Sequence, residues 1–242
     1  MKYEKEIKVL DHGFVRYVDH MGSDQRIVEA ARISYKSPSK GDEQDKKLIE
    51  YLYKNRHTSP FEMCKVTLNI KMPIFVMRQY VRHRMQNLNE VSARYTELPN
   101  EFYIPNNWRK QDTTNKQGSV EDGQWNPKIE YENIDSGYSG VSKIDTQHAL
   151  EMHCENAYKI YEAMIKAGIA REMARMVLPV NIYTECYVCW DLKNLLHFIT
   201  LRDDSHAQAE IQEYGKAIKE ILKELFPVTM ECYEKYKWEI AK

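Results

Sequence analysis

Alternating apolar and polar positions predict strands near the start of the chain. Residues 7–10 and 14–18 form two short apolar runs that are separated by an Asp11-His12-Gly13 turn. Further along, Val66, Leu68, Ile70 and Met72 alternate with polar residues, which is typical of a strand with one buried face. The pattern predicts that these segments pair in a β-sheet.

A second pattern, with apolar residues every three to four positions, predicts helices over most of the remaining chain. The expected segments are a helix capped by Ser23, a helix over residues 44–56, a capped turn at Ser59-Pro60-Phe61-Glu62, a helix that begins at Pro73, a helix over 146–176 that Gly168 interrupts and Pro179 follows, a helix over 183–201, and a last amphipathic helix, with Ser205 and Gln208 at its cap, that runs to Pro227. Strands at one end and helices at the other predict an α+β fold, with a β-sheet flanked by long helices.

Residues 98–145 lack either period and are rich in Asn, Gln, Gly, Ser and Asp. Loops of this length without structure of their own are usually functional or disordered. We therefore expect one compact domain over residues 1–242 with a long loop in its middle.

Composition excludes several classes of function. With 43% hydrophobic and 29% charged residues, the chain is typical of soluble globular proteins. A formal net charge of −1 predicts no general attraction to nucleic acid or to anionic membranes, so anion binding must depend on local arginine clusters. The sequence contains no apolar run of membrane-spanning length and does not begin with a signal peptide, so we expect a cytoplasmic protein without membrane contact.

The five cysteines are scattered and odd in number, which favours reduced thiols over a disulfide framework. Cys186-x-x-Cys189 lacks the second pair of a zinc site and the setting of a redox motif. We expect these two cysteines to be small buried residues of a helix, and we expect no metal site.

The segment from Arg82 to Tyr95 carries the densest group of polar side chains. Arg82-His83-Arg84 follows a predicted helix end, where positive charge is favourable, so a structural explanation exists for these residues. It does not explain Asn89, Glu90, Ser92 and Arg94, which follow closely. Arginine and serine together suit a phosphate, because guanidinium groups supply a charged fork of donors and a hydroxyl adds a neutral donor.

This segment resembles a family signature. Arg-His-Arg, seven residues and Ser is the signature of flavin-dependent thymidylate synthases, and Arg82-His83-Arg84 through Ser92 matches it. The family segments that match in order are Ala31-Arg32-Ile33-Ser34-Tyr35, His57-Thr58-Ser59-Pro60-Phe61-Glu62, Pro73-Ile74-Phe75-Val76 with Arg78-Gln79, Ser92-Ala93-Arg94-Tyr95, Asn115-Lys116-Gln117-Gly118-Ser119, Arg171-Glu172-Met173-Ala174-Arg175 with Leu178-Pro179, and Leu195-Leu196-His197-Phe198 through Leu201-Arg202 with His206-Ala207-Gln208. The resemblance covers residues 30–227 and implies an enzyme, a methyltransferase that converts dUMP to dTMP.

The resemblance also implies roles for single residues. The dUMP site would comprise Gln79, Arg82, Glu90, Ser92, Ala93, Arg94, Arg175 and Arg202. The FAD contacts would be His57, Ser59, Arg82, His83, Arg84, Glu90, Asp191, Lys193, His197 and His206. NADPH and methylene-tetrahydrofolate would be co-substrates, and a homotetramer would share its flavin sites between subunits.

Three positions depart from the family pattern. Asn87 replaces a frequent Ser, Asp191 a usual Asn and Lys193 a usual Arg. A carboxylate at Asp191 would repel the phosphates of FAD unless it is paired or turned toward a donor. Lys193 keeps the charge but lacks the bidentate fork of arginine. We expect altered flavin affinity with the function retained.

Arg202 matches the family residue that activates the uracil base by stabilising negative charge on it. From the residue types alone, pairing with Asp203 or Asp204 at a helix end is the simpler expectation. His197 and His206 could suggest a metal site, but nine residues along one continuous helix would place them on nearly opposite faces. Arg171 is expected in a surface salt bridge.

Two other functions compete with thymidylate synthesis. Arg78, Arg82, Arg84 and Arg94 could follow a nucleic-acid backbone, although the near-neutral net charge argues against this. A flavoprotein that only oxidises NADPH would contain the same cofactor but would neither bind nor methylate dUMP.

Overall fold

A computed structural model gives the fold for residues 5–116, 118–120, 123–133, 140–204 and 206–236. Its strands are β1 (Glu6–Val9), β2 (Gly13–Met21), β3 (Lys65–Pro73), β4 (Gln86–Glu90), β5 (Lys110–Gln111), β6 (Ser119–Val120), β7 (Lys128–Asn133), β8 (Gly140–Asp145) and β9 (Tyr183–Asp191). Its helices are α1 (Asp24–Arg32), α2 (Asp42–Lys54), α3 (Ile74–Tyr80), α4 (Thr146–Lys166), α5 (Arg171–Ala174), α6 (Leu192–Arg202), α7 (Ala209–Leu225) and α8 (Pro227–Lys235). The predicted α+β class is confirmed.

Five strands form the main sheet, in the order β1-β2-β3-β9-β4. The pairs β1–β2, β2–β3 and β4–β9 are antiparallel. In β3, Val66, Leu68, Ile70 and Met72 are buried, which confirms the predicted strand. Asn69 is also buried and is hydrogen-bonded to Arg16 and Glu185, so both sides of this central strand are covered.

The predicted helices at the start of the chain form within a few residues of their expected bounds. Ser23 occupies the N-cap position of α1, but its side chain makes no capping hydrogen bond. The neighbouring Asp24 instead accepts hydrogen bonds from the backbone nitrogens of Val228 and Thr229 at the start of α8. This carboxylate therefore caps a helix that the sequence pattern did not predict.

The Ser59-Pro60-Phe61-Glu62 segment contains a single turn of 3₁₀-helix over Phe61–Met63. The predicted brief helix is therefore confirmed. Its start is one residue later than a Ser59 cap requires, with Pro60 in the N-cap position and no capping side chain.

The predicted helix over 183–201 is wrong in its first half, where the chain forms strand β9. Thr184, Cys186, Val188 and Trp190 are buried at every second position, which is the period of a strand. The strand was missed because β9 reads Tyr-Thr-Glu-Cys-Tyr-Val-Cys-Trp-Asp, in which apolar residues also occupy several positions of the opposite face. Consecutive residues of a strand point to opposite faces, so the pair of cysteines three residues apart cannot share one face.

The expectation of an unstructured middle segment is also wrong in part. Strands β5 and β6 pair in a short antiparallel ladder, and β7 and β8 form a longer one. The backbone nitrogen of Trp108 donates to the carbonyl of Trp125 at 3.0 Å, which links two distant parts of this segment. Gln117, which belongs to the matched family segment over residues 115–119, lies outside the described residues, as do residues 121–122 and 134–139.

Further along, α4 ends at Lys166, Gly168 adopts a φ of +80° and α5 begins at Arg171, as the predicted interruption required. The φ value favours glycine, because a side chain is strained in the left-handed region. No helix within the described ranges is long and apolar enough to cross a bilayer.

The contacts of the chain group into two compact units. The first comprises residues 1–72, 76–90 and 185–242, and contains most of the main sheet with α1, α2, α6, α7 and α8. The second comprises residues 73–75 and 91–184, and its core includes Ala93, Leu98, Phe102, Cys154 and Ile182. The expectation of one domain over residues 1–242 stays a prediction.

Candidate active site

The first unit contains a cavity of about 630 Å³ beside helix α6. We call it the α6 cavity. Its lining residues are Arg82, His83, Arg84, Met85, Trp190, Lys193, Asn194, His197, Leu201 and Arg202. Six residues that the sequence assigned to the flavin or nucleotide site thus surround one space.

Local structure after α3 places the Arg82-His83-Arg84 segment at this cavity. The helix ends at Tyr80, and the backbone nitrogens of Arg82 and His83 still bond to carbonyls of its last turn, at 3.2 and 3.1 Å. The side chain of Gln86 then donates to the carbonyl of His83 at 2.8 Å. The three residues therefore lie in a turn that is held on both sides.

The ring of His83 is fixed by aromatic packing. It lies edge to face against Phe198, with ring centroids 4.9 Å apart, and is tilted against Trp190 at 6.2 Å. The indole nitrogen of Trp190 donates to the hydroxyl of buried Tyr80 at 2.8 Å. These contacts join the ends of α3 and β9 to α6.

Arg202, the last residue of α6, donates from Nε to Nε2 of His83 at 2.9 Å. The expected pairing of Arg202 with Asp203 or Asp204 is wrong. The carboxylate of Asp203 instead binds Lys219 at 2.7 Å, and Asp204 binds His206 at 2.8 Å. The charge of Arg202 is therefore not neutralised by its neighbours in sequence.

Burial, followed by the positive charges of Arg202 and His197, lowers the pKa of His83 to about 4. Burial and the charges of Lys193 and Arg202 also lower the pKa of His197. Both imidazoles are therefore biased toward the neutral form, because proton uptake would add positive charge to a group of cations.

The other cations of the α6 cavity also lack neutralising partners. Among described residues, no carboxylate forms an ion pair with Arg82, Arg84 or Lys193. The ammonium group of Lys193 donates to a neutral amide oxygen, that of Asn194, at 3.1 Å. Several uncompensated cations around one concave space favour the binding of an anionic ligand.

Asp191, at which a carboxylate replaces the usual Asn of the family, is the N-cap of α6. Its Oδ1 accepts from the backbone nitrogen of Asn194 at 2.9 Å and its Oδ2 from the amide of the same residue at 2.7 Å. Both carboxylate oxygens are therefore turned toward donors, the arrangement that the sequence required if a phosphate were to bind nearby. Asp191 is not among the residues that line the cavity.

His57 and Ser59 line a different cavity of the first unit, with a volume of about 810 Å³. We call it the α1–α2 cavity. Its other lining residues are Ala30, Ala31, Arg32, Ser34, Tyr35, Ser37, Lys40, Leu48, Tyr51, Leu52 and Pro60. The ring of His57 packs edge to face against Tyr51, at 5.6 Å between centroids.

Other sequence-assigned residues of the first unit lie outside the lining of both cavities. Gln79 donates to the side chain of Gln208, which in turn donates to buried Glu210 at 2.7 Å. Glu90 is exposed at the end of edge strand β4. His206 follows the end of α6, so the continuous helix assumed for His197 and His206 does not exist. No potential metal cluster occurs within the described parts of the chain.

The second unit carries the remaining dUMP candidates. Ala93 is buried in its core, and Ser92 accepts a hydrogen bond from the backbone of Arg94 at 3.3 Å. The exposed guanidinium of Arg94 lies 3.4 Å from Glu172, three residues before Arg175. Arg171 forms the expected surface pair, with Glu97 at 3.4 Å.

The sequence did not identify Met85, Trp190, Asn194 and Leu201 as lining residues of the α6 cavity. A signal for Asn194 exists: Asp191 followed three residues later by an amide side chain is typical of a capped helix start. It was obscured because residues 183–201 were interpreted as one helix.

A family model described as thymidylate synthase complementing protein matches residues 16–228. The chain belongs to this family. The predicted family resemblance is confirmed over almost the whole sequence.

Relatives and a solved structure agree with the family assignment. The chain is 46% identical to a flavin-dependent thymidylate synthase from Wolbachia pipientis, over 98% of this chain and 79% of the relative. It is 44% identical to one from Thermosipho africanus, over 98% of both chains. The structure of UMP/dUMP methylase PolB from Streptomyces cacaoi, bound with 5-Br UMP, has a TM-score of 0.77 at 30% identity, covering 95% of this chain and 97% of PolB.

Proposed function

We propose that this family member converts dUMP to dTMP, with FAD as cofactor, methylene-tetrahydrofolate as carbon donor and NADPH as reductant. Similarity to flavin-dependent thymidylate synthases supports flavin-dependent thymidylate synthesis, and similarity to the UMP/dUMP methylase PolB supports methylation of dUMP. The observation that carries the proposal is the α6 cavity, in which Arg82, His83 and Arg84 of the signature meet Lys193, His197 and Arg202 from a distant part of the sequence.

The cavity fits the chemistry of FAD. Arg82, Arg84 and Lys193 offer positive charge that no described carboxylate neutralises, which suits a pyrophosphate. His83 and His197 add polar rings that the cavity keeps largely neutral. FAD would supply the hydride chemistry, while the protein supplies binding, orientation and electrostatics.

We assign base activation to Arg202. Methylation at C5 of uracil requires electron density at that carbon, and loss of the N3 proton leaves negative charge on the pyrimidine. A guanidinium can stabilise that charge with directed hydrogen bonds, an effect that is strong where water is excluded. Partial burial of Arg202 lowers its pKa but leaves it a cation at neutral pH, because the free guanidinium titrates far above this range.

The phosphate and sugar of dUMP would be held by Gln79, Arg82, Glu90, Ser92, Ala93, Arg94 and Arg175, and FAD would also contact His57, Ser59, Glu90 and His206. Because the family resemblance implies flavin sites that are shared between subunits, we propose a homotetramer in which some contacts come from a neighbouring subunit. On this basis an isolated subunit is inactive. A cytoplasmic location stays a prediction of the sequence.

The decisive experiment is an anaerobic assay of the purified protein with FAD, NADPH, dUMP and methylene-tetrahydrofolate, in which dTMP is the measured product. Omission of each component in turn should abolish product, and UMP in place of dUMP tests the sugar preference. Oxidation of NADPH without dTMP would favour the simple flavoprotein. A colourless protein that binds DNA in a strongly salt-dependent manner would favour the nucleic-acid alternative.

A further inference from the structure

The hydrogen bond between Arg202 and His83 fixes the protonation of the imidazole. Guanidinium groups only donate hydrogen bonds, so the 2.9 Å contact requires a lone pair on Nε2 of His83. A neutral imidazole with a lone pair on Nε2 carries its proton on Nδ1. The geometry therefore selects one of the two neutral tautomers.

Packing contacts hold the imidazole ring of His83 in a fixed position. Its ring packs against Phe198, which lies one helical turn before Arg202 on α6, and against Trp190 at the end of β9. Its backbone belongs to the turn that Gln86 closes. Rotation of the ring would break packing on two sides, so Nε2 has a defined position relative to α6.

We propose that His83 is the positioning residue for Arg202: it accepts from Nε and thereby leaves both Nη groups of the guanidinium to donate to a ligand in the α6 cavity. This inference rests on the proposed function of Arg202 as the base-activating residue. In this role His83 acts on the reaction by orienting Arg202, in addition to any contact that His83 makes with FAD.

The groups around His83 favour this role. Arg202 and His197 reach it from α6, and burial together with their charges disfavours the imidazolium. An imidazolium would lose the acceptor and would place a second cation against the guanidinium. The cavity thus keeps His83 in the form that can hold Arg202 at neutral pH.

The first test is spectroscopic and needs no turnover. In protein labelled with ¹⁵N-histidine, with and without FAD, we expect His83 at neutral pH to show a protonated Nδ1 and an unprotonated Nε2. The Arg202→Met variant should shift the Nε2 resonance, because it removes the donor. A protonated Nε2 in the wild-type protein would overturn the proposal.

The second test compares two replacements of His83 at saturating FAD. His83→Phe keeps a ring against Phe198 and Trp190 but has no acceptor, and we expect kcat to fall about tenfold to a hundredfold, the effect of losing one hydrogen bond to a charged group. His83→Gln offers an amide oxygen and should recover most of this loss. Equal rates for the Phe variant and the wild type, or equal losses in both variants, would contradict the positioning role.

The two tests separate this inference from the proposed function. If the wild-type protein makes no dTMP, the proposed function fails, while the tautomer of His83 still reports whether the contact with Arg202 exists. If dTMP forms and the tautomer is wrong, the positioning role alone is rejected.

Discussion

The α6 cavity and the α1–α2 cavity of the first unit differ in whether their arginines have carboxylate partners. In the α6 cavity, Arg82, Arg84 and Lys193 have no ion-pair partner among the described carboxylates, and Arg202 is bound to a neutral histidine. In the α1–α2 cavity, Arg32 is bound to Asp45 at 2.6 Å, and both side chains are largely buried.

The cations of the α6 cavity are available to a ligand, whereas Arg32 of the α1–α2 cavity forms a structural ion pair. Asp45 also accepts from Ser39 and from the backbone of Lys40, so it joins α2 to the segment that precedes it. Such a pair holds elements together but has little capacity left for an anion. The α6 cavity has no carboxylate among its lining residues, so its cations remain available to an anionic ligand.

The largest expected effect comes from Arg202→Ala. We expect dTMP formation to fall by about a hundredfold to a thousandfold, because a donor to developing charge is lost, while folding and FAD content remain largely intact. Steady-state kinetics, flavin absorbance and thermal unfolding measure the three quantities. Arg26→Ala, which removes an exposed arginine paired with Glu29, is the matched control. Strong turnover by folded Arg202→Ala would contradict the assignment of base activation to Arg202.

The corresponding change beside the α1–α2 cavity is Asp45→Ala, which should lower the stability of the protein. The side chains of Arg32 and Asp45 are only 11% and 8% exposed, so removing the carboxylate leaves an uncompensated buried charge. We expect a loss of about 3 kcal/mol in the free energy of unfolding, measured by chemical denaturation.

Glu6→Ala provides the control for that measurement. It breaks an exposed pair with Arg16 at 2.6 Å and should cost less than about 1 kcal/mol. Similar losses in the two variants would show that the Arg32–Asp45 pair has no special structural role. Replacing Arg32 and Asp45 together by Met and Leu should recover stability, because no isolated charge remains.

A variant of Arg94, in the second unit, tests whether affinity for dUMP depends on residues that line neither cavity. We expect Arg94→Ala to weaken dUMP binding by about tenfold to a hundredfold, the effect of one charged hydrogen bond, and to weaken FAD binding much less. Calorimetric titration of each ligand measures both affinities. Glu172→Ala, which removes the partner of Arg94 at 3.4 Å, should not weaken dUMP binding. Equal losses for dUMP and FAD in Arg94→Ala would contradict the phosphate role.

The last prediction is a dependence of stability on pH. His83 titrates at about 4 in the folded protein against 6.5 for the free side chain, so unfolding takes up a proton between these values. Its contribution to stability is therefore present above pH 6.5 and is lost as pH falls toward 4. The unfolding free energy of His83→Phe should fall less steeply across this window than that of the wild type.

His148→Asn replaces an exposed histidine of α4 and serves as the control for that series. It should follow the wild-type curve. If His83→Phe also follows that curve, burial among cations does not govern the titration of His83.

Several features of the protein were determined by the sequence itself. Val66 to Met72 formed the expected strand, and Gly168 interrupted the long helix, because a period of two and a glycine are local signals that neighbouring elements reinforced. The signature from Arg82 to Ser92 identified the family, because spacing and identity of residues are preserved in the chain whatever its fold.

Other features were decided only by tertiary structure. Strand β9 is buried mainly on one face, but Tyr183, Tyr187 and Cys189 on its other face obscured the period of two in the sequence, and pairing with β4 shows the segment to be a strand. The partner of Arg202 is His83, 119 residues away, although two aspartates follow Arg202 directly. Sequence proximity cannot predict such a contact. The position of a residue around the helix axis sets the direction of its side chain, and the packing of distant segments decides which group that side chain meets.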